Sequence, residues 1–449
     1  MRSIVWFRRD LRLHDQPALA AAATRGPVLG LFVVDPALAA SVGPTRGWYL
    51  SEALASLAAA SGHRLVIRVG DPAAVLVAAA REVGAAAVYA TAETTPRGRA
   101  RDAAVADALV RAGIAWRPIS TPYVVDPGTL RQRSGRPYRV FGAYARAWAD
   151  AAGRVPGPAE TPPVTWIAAA GTEPAALRAV VGTRRPAHLA GLPTAPAPAR
   201  PPAGEGVALE ALLDFAGRAD GYGATRDQLG RDATSRLSPH LHVGALHPRT
   251  VLAALDAAGQ AAPEFRRQLV WREFYADVLW HDPHSAWHDL RGTGAPVPDR
   301  DGAARERFGR WARGDTGLAL VDAGMRQLLT EGWMPNRARL VCASFLVKHL
   351  HLDWRWGASW FLWRLVDGDV ASNQHGWQWV AGTGTDAAPY HRILNPVRQA
   401  ERFDPEGDYA RRHLPERYGP QAVVAPAMVD LAIERREALA RAALARGAP

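Results

Sequence analysis

Over residues 1 to about 120, short apolar runs alternate with Ala-rich stretches of helical spacing. Five runs of four to seven residues, Ile4–Phe7, Val28–Val34, Leu65–Val69, Ala87–Ala90 and Ile114–Arg117, predict strands. The stretches between them, Gly47–Ala60 and Pro72–Val83 for example, predict helices. That alternation predicts βαβ units and therefore a parallel, doubly wound sheet. From about 154 to 206 the periodicity is lost and Pro, Ala and Gly dominate, as in Pro193–Pro202, which reads as a long connection over the surface. Beyond Val207 the apolar positions recur almost wholly at helical spacing. The expected organisation is an α/β domain over 1–125, a connection over 126–206 and an all-α domain over 207–449.

A chain of 449 residues is too long for one ordinary core, which agrees with two domains. No run of eighteen uncharged apolar residues occurs, and the chain opens directly on a strand-like segment, so neither a spanning helix nor a cleaved signal is expected. Cys342 is the only cysteine, which excludes intramolecular disulfides and cysteine-rich metal sites. A cytoplasmic protein is expected. The formal charge is +11, and 53 of 54 basic residues are Arg, Lys348 being the exception. Such a balance attracts polyanions, although an Arg- and Ala-rich codon bias accounts for it equally well. The tryptophans are more informative: of 16, eleven fall between Trp271 and Trp379.

The densest chemistry is Asp367-Gly-Asp369-Val-Ala-Ser-Asn373-Gln-His-Gly-Trp377-Gln-Trp379, which runs on through Thr383 to Tyr390. Two indoles one residue apart point in opposite directions on a helix or a strand, so one can be buried while the other faces a cavity. Two carboxylates and an amide beside them suit a ligand with hydroxyls and ring N–H groups. Gln268, Trp271, Arg272 and Tyr275 share one helical face at i, i+3, i+4 and i+7. An amide, an indole and a guanidinium make a poor core face and a good wall for a planar, hydrogen-bonding guest. The Trp333–Leu340 stretch reads as a second such helix, aligning Asn336 with Leu340. Thr234-Ser-Arg-Leu-Ser-Pro239 places three hydroxyls and a guanidinium at a helix start, which reads as a cap or as a phosphate site, with Tyr222 and Arg226 just upstream. Trp356, Trp360 and Trp363 form a helical stripe expected in the core. The β1–helix turn, Arg8-Arg-Asp-Leu-Arg-Leu-His-Asp15, lacks the glycines of a dinucleotide fingerprint. The histidines show no metal-ligand spacing, and no metal is expected.

Taken together, Trp-Arg-Glu-Phe-Tyr, Thr-Ser-Arg-Leu-Ser-Pro, Gly-Trp-Met-x-Asn-Arg, Asp-Gly-Asp and Gly-Trp-Gln-Trp, with Phe-Arg-Arg-Asp-Leu-Arg at the start, resemble the DNA photolyase/cryptochrome family, and its class I cyclobutane-dimer photolyases in particular. The resemblance runs from residue 1 to about 440. It implies FAD in the helical domain and an antenna chromophore in the α/β domain. By the same resemblance Tyr222, Thr234, Ser235, Arg236, Leu237 and Ser238 would hold the diphosphate and ribityl portion. Gln268, Arg272, Arg339, Asp367 and Asp369 would line the rest of the cofactor, and Asn373 would face flavin N5. Trp377 and then Trp354 would carry electrons. Trp271 and Trp379 would sandwich a flipped-out pyrimidine dimer; Gln268, Asn336 and Leu340 would face it; Arg226 and Arg337 would meet DNA phosphates. A monomer acting on damaged DNA is expected.

Four departures from the family pattern stand out. Gln268 replaces an acid of the repair branch, and Leu340 replaces a Met. No Trp stands near Asp299–Asp301, where the outermost electron donor would fall, so Trp356 or Trp360 is expected to substitute. Arg97-Gly98 stands where a folate-binding Asn-Glu pair would be, which favours a deazaflavin antenna, or none, over folate. Asn336 and Leu340 occupy the places of two histidines needed for (6-4) repair, which argues against that branch. Gln268 and Leu340 pull toward a cryptochrome that repairs poorly; no long tail follows residue 440, which pulls toward repair.

Overall fold

The computed structural model describes residues 1–172, 177, 181–193, 201–291, 298–385, 392–418 and 426–447. It resolves into two compact units, neither continuous in sequence. One comprises Met1–Arg185, Pro201–Asp220 and Ser235–Pro283; the other Pro186–Arg200, Gly221–Thr234 and His284–Pro449.

In the first unit β1 (Ser3–Phe7), β2 (Val28–Val34), β3 (Leu65–Val69), β4 (Ala87–Ala90) and β5 (Ala115–Pro118) form a parallel sheet of order β3-β2-β1-β4-β5. Ser3 lies opposite Val28 on one side and Ala87 on the other. The connections carry α1 (Pro17–Ala23), α2 (Pro44–Ala60), α3 (Pro72–Val83) and α4 (Pro96–Arg111), each opening on the proline that a first helical turn tolerates. Both faces of β1 and β2 are buried, as crossover helices require of a parallel sheet. The doubly wound reading therefore holds. The last strand sits one residue later than its apolar run, ending on Pro118; the missing donor is harmless on an edge strand.

The turn after β1 is filled by its own side chains. Asp10 accepts from Arg8 N, Gln16 Nε2 and Thr91 Oγ1, each at 2.6 Å. The connection after 154 is less superficial than its composition suggests. Val28 donates to Thr165 O and accepts from Ile167 N, Thr172 N bonds Ile67 O, and Leu177 and Leu189 are buried. Apolar residues spaced too irregularly to show a period still find backbone partners along the sheet.

The same unit holds α5 (Phe141–Ala152), α6 (Glu205–Ala216), α7 (Ser238–Val243), α8 (Pro248–Ala257) and α9 (Pro263–His281). The second unit is helical: α10 (Gly302–Arg313), α11 (Ala319–Glu331), α12 (Asn336–Lys348), α13 (Trp354–Arg364), α14 (Val370–Ala381), α15 (Pro396–Phe403), α16 (Asp408–His413) and α17 (Leu431–Gly447). Its core centres on Trp311, Met325, Phe345, Trp360 and Trp377. The expected aromatic stripe is there: Trp360 and Trp363 are buried, while Trp356 packs half-buried at the margin. The helix expected over 333–340 begins only at Asn336, because Pro335 occupies its cap. Among the described residues no helix is long and apolar enough to cross a membrane, and no His, Cys, Asp and Glu cluster could hold a metal ion.

Candidate functional site

In the second unit α14 sets out Asp369, Asn373 and Trp377 four residues apart, on one face. Asp369 caps the helix by accepting from Ser372 N at 2.9 Å. Asn373 Nδ2 donates to Ala358 O at 3.1 Å and to Gln374 Oε1 at 2.7 Å, so its Oδ1 is the end left for an outside donor. Trp377 is 3% exposed and stands edge-on to Phe361 and Trp311, at 4.9 and 6.2 Å. Trp379, half-buried on the other side of the helix, lies beneath the Arg392 guanidinium at 4.7 Å. The opposed indoles thus take the buried and open roles their spacing predicts. The neighbouring amides are pins: Gln374 and Gln378 donate to Ala286 O and Ser285 O at 2.6 and 2.7 Å. Asp386 to Tyr390, which completed the motif, lie outside the described residues.

Trp354, 4% exposed, opens α13 and donates its indole N–H to Asp289 Oδ1 at 2.8 Å. Where an outer tryptophan was expected there are charges: Asp299 pairs with Arg307 and Arg441 at 2.9 and 2.8 Å, and Asp301 caps α10. Of the two expected substitutes, Trp360 is fully buried below Arg364, and Trp356 packs on Phe308 at 5.5 Å.

Asp367 accepts from Arg339 Nη2 at 2.8 Å, and Arg339 Nε holds Met334 O at 2.9 Å. Asn336 is exposed at the start of α12, with Leu340 half-buried one turn on. Arg337 pairs with Asp227 at 2.7 Å and lies over Phe403 at 4.1 Å, so its charge is partly neutralised within the unit. Arg226 lies over the Tyr222 ring at 5.2 Å.

The boundary between the units falls within the Thr234–Ser238 run. Its hydroxyls are not the helix cap that was expected. α7 starts at Ser238 behind Leu237, without a side-chain cap, and Ser235 Oγ instead accepts Leu237 N at 3.3 Å. Arg236 sits at φ +49°, a left-handed conformation that costs a non-glycine residue about 1–2 kcal/mol and marks places over-determined by their surroundings. Thr234 Oγ1 is buried and has no hydrogen-bond partner.

In the first unit α9 carries the mixed stripe as expected: Gln268, Trp271, Arg272 and Tyr275 are all half-exposed. Trp271 stacks flat on Phe141, ring centroids 3.6 Å apart and planes within 2°. Arg272 Nη1 donates to Pro122 O at 2.8 Å and its guanidinium covers Tyr123 at 4.4 Å. Gln268 Nε2 turns back to Glu264 O at 3.2 Å. Behind this face Glu273 accepts from Val124 N, Val125 N and Trp148 Nε1, and burial pushes its carboxyl up to about 6. Asp277 receives Gly128 N at 2.7 Å and is likewise pushed up to about 6 by burial. Sequence reading missed Glu273 and Asp289, whose partners are 148 and 65 residues away. It also missed Gly357, for which a glycine inside a tryptophan-rich helix was a usable signal of close approach.

Residues 3–163 match the DNA photolyase family, and residues 265–442 match the FAD binding domain of DNA photolyase. A deoxyribodipyrimidine photo-lyase of Agrobacterium fabrum is 39% identical over 433 residues, covering 92% of this chain and 87% of that one. The chain belongs to the DNA photolyase/cryptochrome family. Among solved structures, a bacterial class III photolyase from Agrobacterium tumefaciens superposes with a TM-score of 0.86 at 35% identity, over 100% of this chain and 98% of that one. A cryptochrome of Synechocystis sp. PCC6803 gives 0.84 at 25% identity, over 98% and 99%. The family's flavin fits the residues present. Thr234 Oγ1 is a buried hydroxyl in want of an acceptor, costing about 1–3 kcal/mol if left so, and it stands in the run expected to hold the diphosphate.

Proposed function

We propose that the protein splits cyclobutane pyrimidine dimers in DNA under blue light, with FAD as cofactor. The observation that carries this reading is the α9 face on which an amide, an indole, a guanidinium and a phenol all stay half-exposed in a buried neighbourhood. When bound, reduced and excited, FAD supplies the electron that opens the cyclobutane ring and takes it back. The protein's share is binding, position and electrostatics.

Thr234, Ser235, Arg236, Leu237 and Ser238, with Tyr222, are the residues we assign to the phosphate and ribityl end, and Arg272, Arg339, Asp367 and Asp369 to the rings. Asn373, with its N–H groups anchored, would accept a hydrogen bond from flavin N5–H. Trp377 and Trp354 would supply electrons that bring the cofactor to its working state. Trp271, backed by Phe141, is a rigid plane on which a dimer base can stack, worth about 1–3 kcal/mol per base. Trp379 would take the other face, with Asn336 and Leu340 beside it. A dimer is poorly stacked in its duplex and cheaper to extrude than an intact step. Arg226 and Arg337 would meet backbone phosphates.

An antenna would be a deazaflavin rather than folate. A side chain at Gly98, where folate would need an acid, would run into Glu93 and Thr95. The second reading is a cryptochrome that binds FAD and repairs poorly; it is favoured by Gln268, whose amide cannot deliver a proton or carry a negative charge. Purified, photoreduced protein mixed with thymine-dimer DNA under blue light decides between them. Rapid dimer loss is expected; no loss with FAD bound and photoreducible would establish the cryptochrome.

A further inference from the structure

We propose that the helical unit binds a small monovalent anion, such as chloride, between the Lys348 ammonium and the Thr383 hydroxyl. The inference is independent of the flavin reading above, which gives neither residue a role.

A cavity of about 70 Å³ lies where the ends of α12 and α14 meet the start of α13 and the face of α17. All its walls belong to one unit. Its ionisable lining is Asp289, Lys348, His351, Asp353, Arg355 and Arg441. Asp353 pairs with Arg300 at 2.7 Å, Asp289 with Arg355 at 3.0 Å, Arg441 with Asp299 at 2.8 Å and His351 with Glu434 at 2.7 Å. Both acids of the wall are thus covered by guanidinium groups. Lys348 is the exception. It is buried, it has no carboxylate within ion-pair distance among the described residues, and its one hydrogen bond runs from Nζ to Ala381 O at 2.8 Å. That carbonyl ends α14, and a helix C-terminus carries only about half an elementary negative charge. Burial pushes the Lys348 ammonium down to about 8 and no carboxylate opposes it, yet at neutral pH the cation persists. A buried cation without a counter-ion is costly, and two of its three protons still lack an acceptor.

Thr383 supplies the second donor. It follows Ala381 by two residues, lines the same cavity and is buried, with no hydrogen-bond partner for its Oγ1. Water can accept from both groups but leaves the charge unmatched; a halide accepts from both and matches it. One water needs about 10–15 Å³ of such space, so the cavity has room for a halide that keeps several of its waters. Composition points to the same residue. Arg fills 53 of the 54 basic positions and Lys stands only here. An ammonium is a compact charge with three donors that turn freely, whereas a guanidinium is a rigid planar fork. With one donor held on Ala381 O, the compact group can still present the others to a small guest.

The test is thermal unfolding of the purified full-length protein while sodium gluconate is exchanged for sodium chloride at constant ionic strength, which holds screening fixed. The native chain should melt a few degrees higher in chloride, and the rise should follow the concentration dependence of ligand binding to the folded state. Lys348→Met removes the charge and keeps an unbranched apolar stem; it should lose the chloride-dependent rise. Thr383→Val keeps the shape without the hydroxyl and should weaken the apparent chloride affinity severalfold. Equal melting of the native chain in chloride and gluconate would overturn the proposal, and so would a chloride rise that survives in Lys348→Met. Should Lys348→Met fail to fold, native crystals soaked in bromide decide. Anomalous scattering in this cavity is the expected result, and water alone in its place overturns the site.

Discussion

Gly357 has no side chain because the six-membered ring of Trp377 fills the place where one would be: a Cβ there would overlap Cη2. In an open helix, Gly→Ala is worth about 1 kcal/mol of stabilisation. Here the added methyl must push the indole off α13, and overpacking of this kind costs about 1–3 kcal/mol. Gly357→Ala should therefore lower the melting temperature by a few degrees and slow flavin photoreduction together. A melting temperature that rises, with photoreduction untouched, would show that the ring moves aside freely and that its placement is not critical.

Trp377 is the first donor in the proposed order, and Trp377→Phe should slow flavin photoreduction strongly. Its stability cost should stay well below the ~3–5 kcal/mol of a truncation to alanine, because the phenyl keeps most of the edge-on contacts to Phe361 and Trp311. Photoreduction rate under blue light with a thiol reductant is the measurement. An unchanged rate removes Trp377 from the path.

The α/β fold was legible because each strand is a short apolar run closed by turn residues, and that information is local. The opposed roles of Trp377 and Trp379 were legible for the same reason, since one residue of separation fixes opposite directions. What could not be read was every contact made at long range. Nothing near Trp354 announces Asp289, nothing near Glu273 announces the 124–125 backbone, and the Arg337–Asp227 pair joins residues 110 apart. The Ser/Thr run misled for a different reason: hydroxyls before a helix usually cap it, and here an αL residue at Arg236 turns the backbone away from that geometry.

Asp277 gives the protein an unusual response to pH. Burial raises its folded value to about 6 from an ordinary 3.8, so between those values the native state holds a proton that the unfolded chain has released. Stability from this group is present below about 4 and lost as pH rises to about 6, by something of order 1–3 kcal/mol. Asp277→Asn keeps an oxygen for Gly128 N and has no charge to bury. It should melt higher than the native chain at pH 7 and narrow the difference in melting temperature between pH 5 and pH 7. Glu273 still titrates, so the difference should shrink and not vanish. A pH difference identical in the variant would show that the Asp277 charge is solvated in the native state.

Charge neutralisation already made inside the protein should show in DNA binding. Each phosphate contact adds about 0.9 to the slope of log affinity against log salt on duplex DNA. Arg337→Ala should lower that slope by clearly less than this, because Asp227 at 2.7 Å competes with any phosphate. A drop of the full amount would mean that the Arg337–Asp227 pair opens fully on DNA.

Gln268 is the expected departure from the family pattern that bears most directly on the proposed function. It is half-exposed on the same α9 face as Trp271, and its Nε2 folds back onto Glu264 O. A glutamate at this position would carry one negative charge, would accept from a ring N–H of the dimer, and when protonated could donate to a dimer carbonyl as the ring gains an electron. The amide manages only the neutral hydrogen bonds, which are roughly half as strong as charge-assisted ones. The nearest cation on the stripe is Arg272, one turn along, whose Nη1 is already tied to Pro122 O. An acid at 268 would therefore find partial electrostatic support without breaking an existing ion pair. Gln268→Glu should raise the quantum yield of dimer repair and leave FAD content unchanged. The measurement is dimer loss per absorbed photon, native against variant, in fully photoreduced protein. A yield that stays flat or falls would mean that Gln268 is not what limits repair, and attention would move to Leu340 one turn into α12.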